Sequence, residues 1–264
     1  MLLQNKNAIV YGAGGSLGGA VAKALAAAGA RLFLTGRHAG SVEKTAAAIH
    51  QAGGTAEVDV VDGFDEGAIR NHLERVGQEA GSVDISFNAV GVDVIQGIPL
   101  IALPVDDFVR PILLTMQTRF LTATAAARVM KGQGSGVIIS LTATPGGIGY
   151  PYTAGFAPAC AAVESFSRNL AAETGLYGVR VVNIRSGGSP DSRVFREAVD
   201  SQPGIMDGVL RQMRADSMLK ALPLMADIAN TAVFLASGMA GMITGVTVDV
   251  TAGTTAGLNY RATQ

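Results

Sequence analysis

The stretch Tyr11-Gly12-Ala13-Gly14-Gly15-Ser16-Leu17-Gly18-Gly19 is the part of this chain best suited to holding a charged ligand. An apolar run at 8–11 reads as a buried strand, and the glycines turn the chain into an alanine-rich helix at 17–28. The backbone N–H groups of Ser16 and Leu17 and the positive end of the helix dipole suit a pyrophosphate. Gly12 supplies the tight turn and Gly14 lets phosphates approach closely. Gly18 lets the helix pack on the strand, where any Cβ would push the two apart. Arg37 follows Gly36 at the end of the second strand-like run. A guanidinium there clamps a 2′-phosphate through charge-assisted hydrogen bonds, whereas a carboxylate would repel it. The expected cofactor is therefore NADP rather than NAD.

Groups for proton chemistry are sparser. The single cysteine, Cys160, has no His or Lys beside it to hold a thiolate, and reads as a small core-facing helix residue. His38, His50 and His72 flank or sit on the second and third helices and read as solvated. No His, Cys and carboxylate cluster has metal-ligand spacing, so no metal is expected. Tyr152, in the loop before the late helix, and Thr142 are the candidate proton donors, with Tyr150 a further hydroxyl nearby. Glu164 is expected to face a helix partner.

These groups need a framework, and the pattern provides one. Strand-like runs at 6–11, 31–35, 56–60, 84–88, 136–141, 179–184 and 246–250 alternate with helical runs at 17–28, 41–52, 66–79, 105–130, 157–176 and 225–237. Continuous apolar strands separated by helices imply an α/β fold: a doubly wound parallel sheet covered on both faces. A single domain is expected over 1–264, with an irregular or short-helical segment at 189–220 covering a substrate. Hydrophobic residues make up 48% of the 264, and the formal net charge is −1 with no basic block. That balance argues against nucleic acid as a partner. No apolar run approaches the roughly 18–20 residues that span a bilayer. The start lacks the layout of a signal peptide, and the single cysteine suits a reducing compartment, so a cytoplasmic location is expected.

At this point the chain resembles the short-chain dehydrogenase/reductase family over nearly its whole length. The glycine turn is similar to TGxxxGxG, with Tyr11 for the Thr and Ser16 for the middle Gly. Asp59-Val60 resembles the pair that contacts adenine. Asn88-Ala89-Val90-Gly91 resembles NNAG, and Ser186-Gly187 stands where Pro-Gly lies beside the nicotinamide. The run 161–173, Val179-Arg-Val-Val182 and Ile243-Thr-Gly245 follow the family's later elements. The resemblance implies a Rossmann fold, a cofactor held by Gly12, Gly14, Ser16, Leu17, Gly18, Arg37, Asp59, Val60, Asn88, Val90 and Gly187, and a homodimer or homotetramer built on the two long helices.

The family's proton relay uses a tyrosine, a lysine four residues later, an upstream serine and an asparagine on the long helix. No tyrosine in this chain has lysine four positions on. Aligned through 161–164, the four positions fall on Phe156, Cys160, Ala143 and Thr115. The resemblance thus implies an NADP-dependent oxidoreductase with a non-standard site. It would act on an activated small-molecule carbonyl, enone or imine. The alternatives are a non-catalytic nucleotide-binding, regulatory or partner subunit, and a non-redox cyclase or isomerase.

Overall fold

The computed structural model describes residues 1–257. Of the expected domain, residues 258–264 lie outside the described residues.

Seven parallel strands form one sheet: β1 (Asn7–Tyr11), β2 (Arg31–Gly36), β3 (Thr55–Val60), β4 (Ile85–Asn88), β5 (Gly136–Ala143), β6 (Val179–Ser186) and β7 (Thr247–Val250), in the order β3-β2-β1-β4-β5-β6-β7. Side chains alternate across each strand, so β1, β2, β5 and β6 each feed two cores. Ala8, Val10, Leu32, Leu34, Ile139 and Val182 face α1 (Ser16–Ala27), α2 (Ala39–Gln51) and α8 (Met225–Ala236). Ile9, Tyr11, Phe33, Ile138 and Val181 face α3 (Glu66–Ala80), α4 (Val105–Gln133) and α5 (Phe156–Thr174). Burial on both faces explains why the strands read as apolar runs rather than alternating ones.

The segment expected to be irregular or short-helical contains two helices, α6 (Arg193–Ser201) and α7 (Pro203–Asp216). Pro203 opens α7, where its missing N–H costs nothing. The two helices pack on each other.

Chain order reverses between β1 and β4: from β1 the chain moves outward to β2 and β3, then returns to β4 on the other side. The loops leaving the carboxyl ends of β1 and β4 diverge there, opening the crevice where doubly wound sheets bind ligands.

Candidate dinucleotide site

The crevice floor is built from two strand ends tied together. Ala89 N donates to Tyr11 O at 2.9 Å, while Gly12 N and Ala13 N donate to Thr35 O at 3.1 and 3.0 Å. Gly12 has φ +77°, and a Cβ on it would lie 2.7 Å from Ala89 O. Gly18 is excluded from any larger residue more severely, since its Cβ would lie 2.3 Å from Gly12 O. Both glycines therefore do what their spacing implies. Gly14 is tight for another reason: its Cβ would run into the Ser41 side chain at the start of α2.

The cap residue of α1, Gly15, makes no side-chain hydrogen bond, and its first turn holds no acidic residue. The helix start thus presents uncompensated N–H groups and a positive end. Ser16 Oγ accepts from Arg193 N at 2.9 Å, which brings the start of α6 onto the glycine turn. Its hydroxyl hydrogen is left for another acceptor.

On the β2–β3 side, Arg37 is exposed directly after β2. Asp59 is engaged by the protein itself. Within β3 its side chain turns onto α3, where its carboxylate pairs with Arg75 at 2.5 Å and His72 at 3.2 Å. Val60, next along, points away from the protein and is 64% exposed. The residues past the end of β3 are Asp62 and Gly63. Asp62 is exposed, its Oδ1 accepting from Phe64 N. A Cβ on Gly63 would lie 3.0 Å from Val90 Cγ2, so this pair borders the crevice. Asp65 caps α3 by accepting from Ala68 N at 2.9 Å, which fixes the turn that carries Asp62 and Gly63.

On the β4–β5 side, Asn88 is buried and fully used. Its amide donates to Thr122 Oγ1 at 2.8 Å and to Thr118, and its Oδ1 accepts from Val90 N at 2.9 Å and from Arg119 at 2.5 Å. It fixes the path of residues 88–90 rather than offering free groups to a ligand. Cys160 is buried, and the Ala143 backbone lies within hydrogen-bonding reach of its thiol. Burial pushes that thiol up to about 11, so it is protonated at neutral pH. Phe156 begins α5 and Thr115 lies on α4, each partly buried.

Thr142 is corrected as a proton donor to substrate. Its buried hydroxyl donates to Glu164 Oε1 at 2.9 Å. Glu164 also receives Arg185 (3.0 and 2.5 Å), which reaches on to Asp249 at 2.9 Å. Glu164 therefore anchors an ion network across β5, β6 and β7, not a helix partner. Tyr152 is 55% exposed with φ +62°, and Ala154 beside it has φ +49°. Two non-glycine residues in the left-handed region mark a strained loop ahead of α5. Tyr150 and Tyr152 line a cleft of about 620 Å³ with Leu100, Ile101, Phe108 and Ala157. Burial, and then Asp216, raise the Tyr150 phenol above its usual range.

Past β6, Gly187 N donates to Val250 O at 2.9 Å, and a Cβ on Gly187 would lie 2.7 Å from Thr251 Cα. Ser189 Oγ is buried with no partner. His72 is a further correction, being buried rather than solvated. Among the described residues no His, Cys, Asp and Glu group could hold a metal, and no helix is long and apolar enough to cross a membrane.

A dinucleotide suits these residues. The uncapped α1 lies above a turn that a Cβ would fill, and an orphaned hydroxyl lies beyond β6. A family profile described as Enoyl-(Acyl carrier protein) reductase matches residues 12–255. The chain is 31% identical over 254 residues to the short-chain reductase protein NovJ of Streptomyces niveus, covering 95% of this chain and 94% of that one. To 3-oxoacyl-(acyl-carrier-protein) reductase FabG of Escherichia coli it is 30% identical over 254 residues, covering 96% and 98%. A putative short-chain dehydrogenase/reductase from Burkholderia xenovorans superimposes with TM-score 0.88 at 28% identity, covering 96% and 98%.

Proposed function

The chain belongs to the short-chain dehydrogenase/reductase family, and from that premise we propose that it is an NADP-dependent oxidoreductase with a non-standard proton relay. Oxidoreduction is the chemistry of the family, and the relatives named above are called reductases or dehydrogenases. The observation that carries the reading is the bare start of α1 above the Gly12 turn. NADPH, when bound, supplies the hydride. Ser16, Leu17 and Gly18 offer N–H groups to its pyrophosphate, Arg37 takes the 2′-phosphate, and Asp62, in place of Asp59, takes the adenine amino group.

At the tyrosine, lysine and serine positions of the relay, Phe156 and Ala143 have no proton to give, and the Cys160 thiol is buried and held protonated; Thr142, beside Ala143, spends its hydroxyl on Glu164. The substrate class that fits is one already activated toward hydride, an iminium or a conjugated enone, or one carrying its own acid. Loss of a general acid lowers rate by about 10²–10⁴, so plain ketones are poor substrates. The same residues favour the second reading, a nucleotide-binding subunit without turnover.

Fluorescence titration separates the outcomes. NADPH is expected to saturate at lower concentration than NADH. Arg37→Asp reverses that order, weakening NADPH by about tenfold or more. A panel of imines, enones and ketones then shows whether bound NADPH is consumed. Binding without consumption favours the subunit reading, and no saturable signal with either nucleotide overturns both.

A further inference from the structure

Midway along α4, where Ala123, Ala126 and Ala127 fill the same apolar interface, Arg119 carries a guanidinium into the interior. The residue is 5% exposed. Its Nη1 donates to Asn88 Oδ1 at 2.5 Å and to the Val90 carbonyl at 3.2 Å, both uncharged acceptors. Its Nε is buried with no acceptor at all. Among the described residues no carboxylate forms an ion pair with it. An ion removed from water without a counter-charge is costly, and an orphaned donor adds to that. Burial brings the guanidinium down to about 10, which still leaves it charged at neutral pH. A folded chain that keeps such a group at this cost has a use for it that its own atoms do not satisfy.

Its position indicates the use. Asn88 and Val90 lie at the carboxyl end of β4. Cys160, near the start of α5, is close enough that thiol and guanidinium bias each other's ionisation. Arg37 and Asp62 lie at the other end of the crevice, past β2 and β3. A dinucleotide across the carboxyl edge of this sheet sets its adenosine half over β1–β3 and its second nucleoside over β4–β6. At that second position α5 places the protonated thiol of Cys160, while α4 brings a cation from below.

We propose that Arg119 is the cation on which the nicotinamide-side ribose of the dinucleotide docks, its unspent N–H donors binding the ribose hydroxyl oxygens. This rests on the reading that a dinucleotide binds, and adds a residue that holds the reacting half of it in place. A ribose edge supplies acceptors for guanidinium N–H groups that Asn88 and Val90 leave unused, and the charge strengthens each bond.

The test compares NADPH with 2′,5′-ADP, which has the adenosine and 2′-phosphate but lacks the second ribose. Arg119→Met and Arg119→Gln are expected to weaken NADPH by about tenfold or more while leaving 2′,5′-ADP within about twofold. Arg119→Lys, which keeps the charge, is expected to recover most of the loss. Equal losses for both ligands, or none for either, would overturn the assignment: the first makes Arg119 a brace for the end of β4, the second removes it from the site. Should Arg119→Met fail to fold, Arg119→Gln against Arg119→Lys carries the same comparison. A wild-type protein that binds 2′,5′-ADP and NADPH with no dependence on Arg119 sinks only this proposal. One that binds neither sinks the dinucleotide reading as well.

Discussion

Tyr11 ends β1 with its ring fully buried and its hydroxyl without a partner. A threonine in the same place would be smaller and able to reach the backbone, whereas the phenol oxygen is carried deeper, among Ile9, Phe33 and Val61. Removing an unsatisfied donor from such surroundings recovers its desolvation cost. Tyr11→Phe is therefore expected to stabilise the protein by about 1 kcal/mol, seen as a higher urea midpoint at unchanged slope. His72 is the opposite case, a titratable group with one good partner. Its Nε2 meets Asp59, but Nδ1 is buried without one, and burial outweighs the carboxylate in lowering its proton affinity below the ordinary value of 6.5. The unfolded chain then holds the proton more tightly than the folded one. Stability is consequently lost as pH falls through 6.5 toward the folded value, and is level above it. Melting temperatures from about pH 7.5 to about 5.5 should fall more steeply for the wild type than for His72→Gln. Identical slopes would remove His72 from the account. Neither environment was legible beforehand. His72 lies on a helix whose other face is charged, and its burial depends on which face α3 turns to the sheet.

At the scale of elements, the glycine turn was the most legible feature because its constraints are local. Gly18 excludes a side chain through contact with backbone only six residues away, so spacing alone carries the information. Gly18→Ala is expected to cost about 1–3 kcal/mol and to weaken NADPH by about tenfold or more, since the contact at 2.3 Å is with a carbonyl that cannot rotate away. Gly40→Ala is the control. It lies in the first turn of α2 with nothing within 4 Å, and is expected to gain about 0.5–1 kcal/mol from helix propensity. A Gly18→Ala protein as stable as Gly40→Ala would mean that α1 can move without loss. The engagement of Asp59 by α3 was not legible for a related reason. Strands alternate faces, so an Asp-Val pair within β3 necessarily sends one side chain to a helix and the other outward. Arg119 gave no signal, because an arginine among alanines at helical spacing reads as an edge residue until the neighbouring elements are in place. Thr142 had a plausible hydroxyl, but its partner, Glu164, lies on a different element and pairs with Arg185 on a third.

At the scale of the molecule, helices packed on one another cover both faces of the sheet. On the side of α1, α2 and α8, α1 packs directly on α8. On the other side, α4 leaves an apolar stripe facing outward: Val105, Val109, Leu113 and Phe120 recur at intervals of four, four and seven residues, which share one helix face. Leu113 is 63% exposed and Phe120 is 50% exposed, the Phe120 ring lying 5.8 Å from that of Phe166 on α5. A contiguous apolar surface of this kind marks an interaction face. A second copy is its expected occupant, since a two-fold axis sets the same stripe against itself. The wild type is then expected to run in light scattering at a multiple of its 26.9 kDa chain mass. Leu113→Glu places a carboxylate in the middle of the apolar stripe, opposite or near its own copy. It should shift the mass to a single chain at micromolar concentration while leaving 2′,5′-ADP binding in place, because Leu113 lies on the outer face of α4 and Arg119 on the inner. A wild type already of single-chain mass, or a Leu113→Glu variant still assembled, would show that the stripe is not the seam.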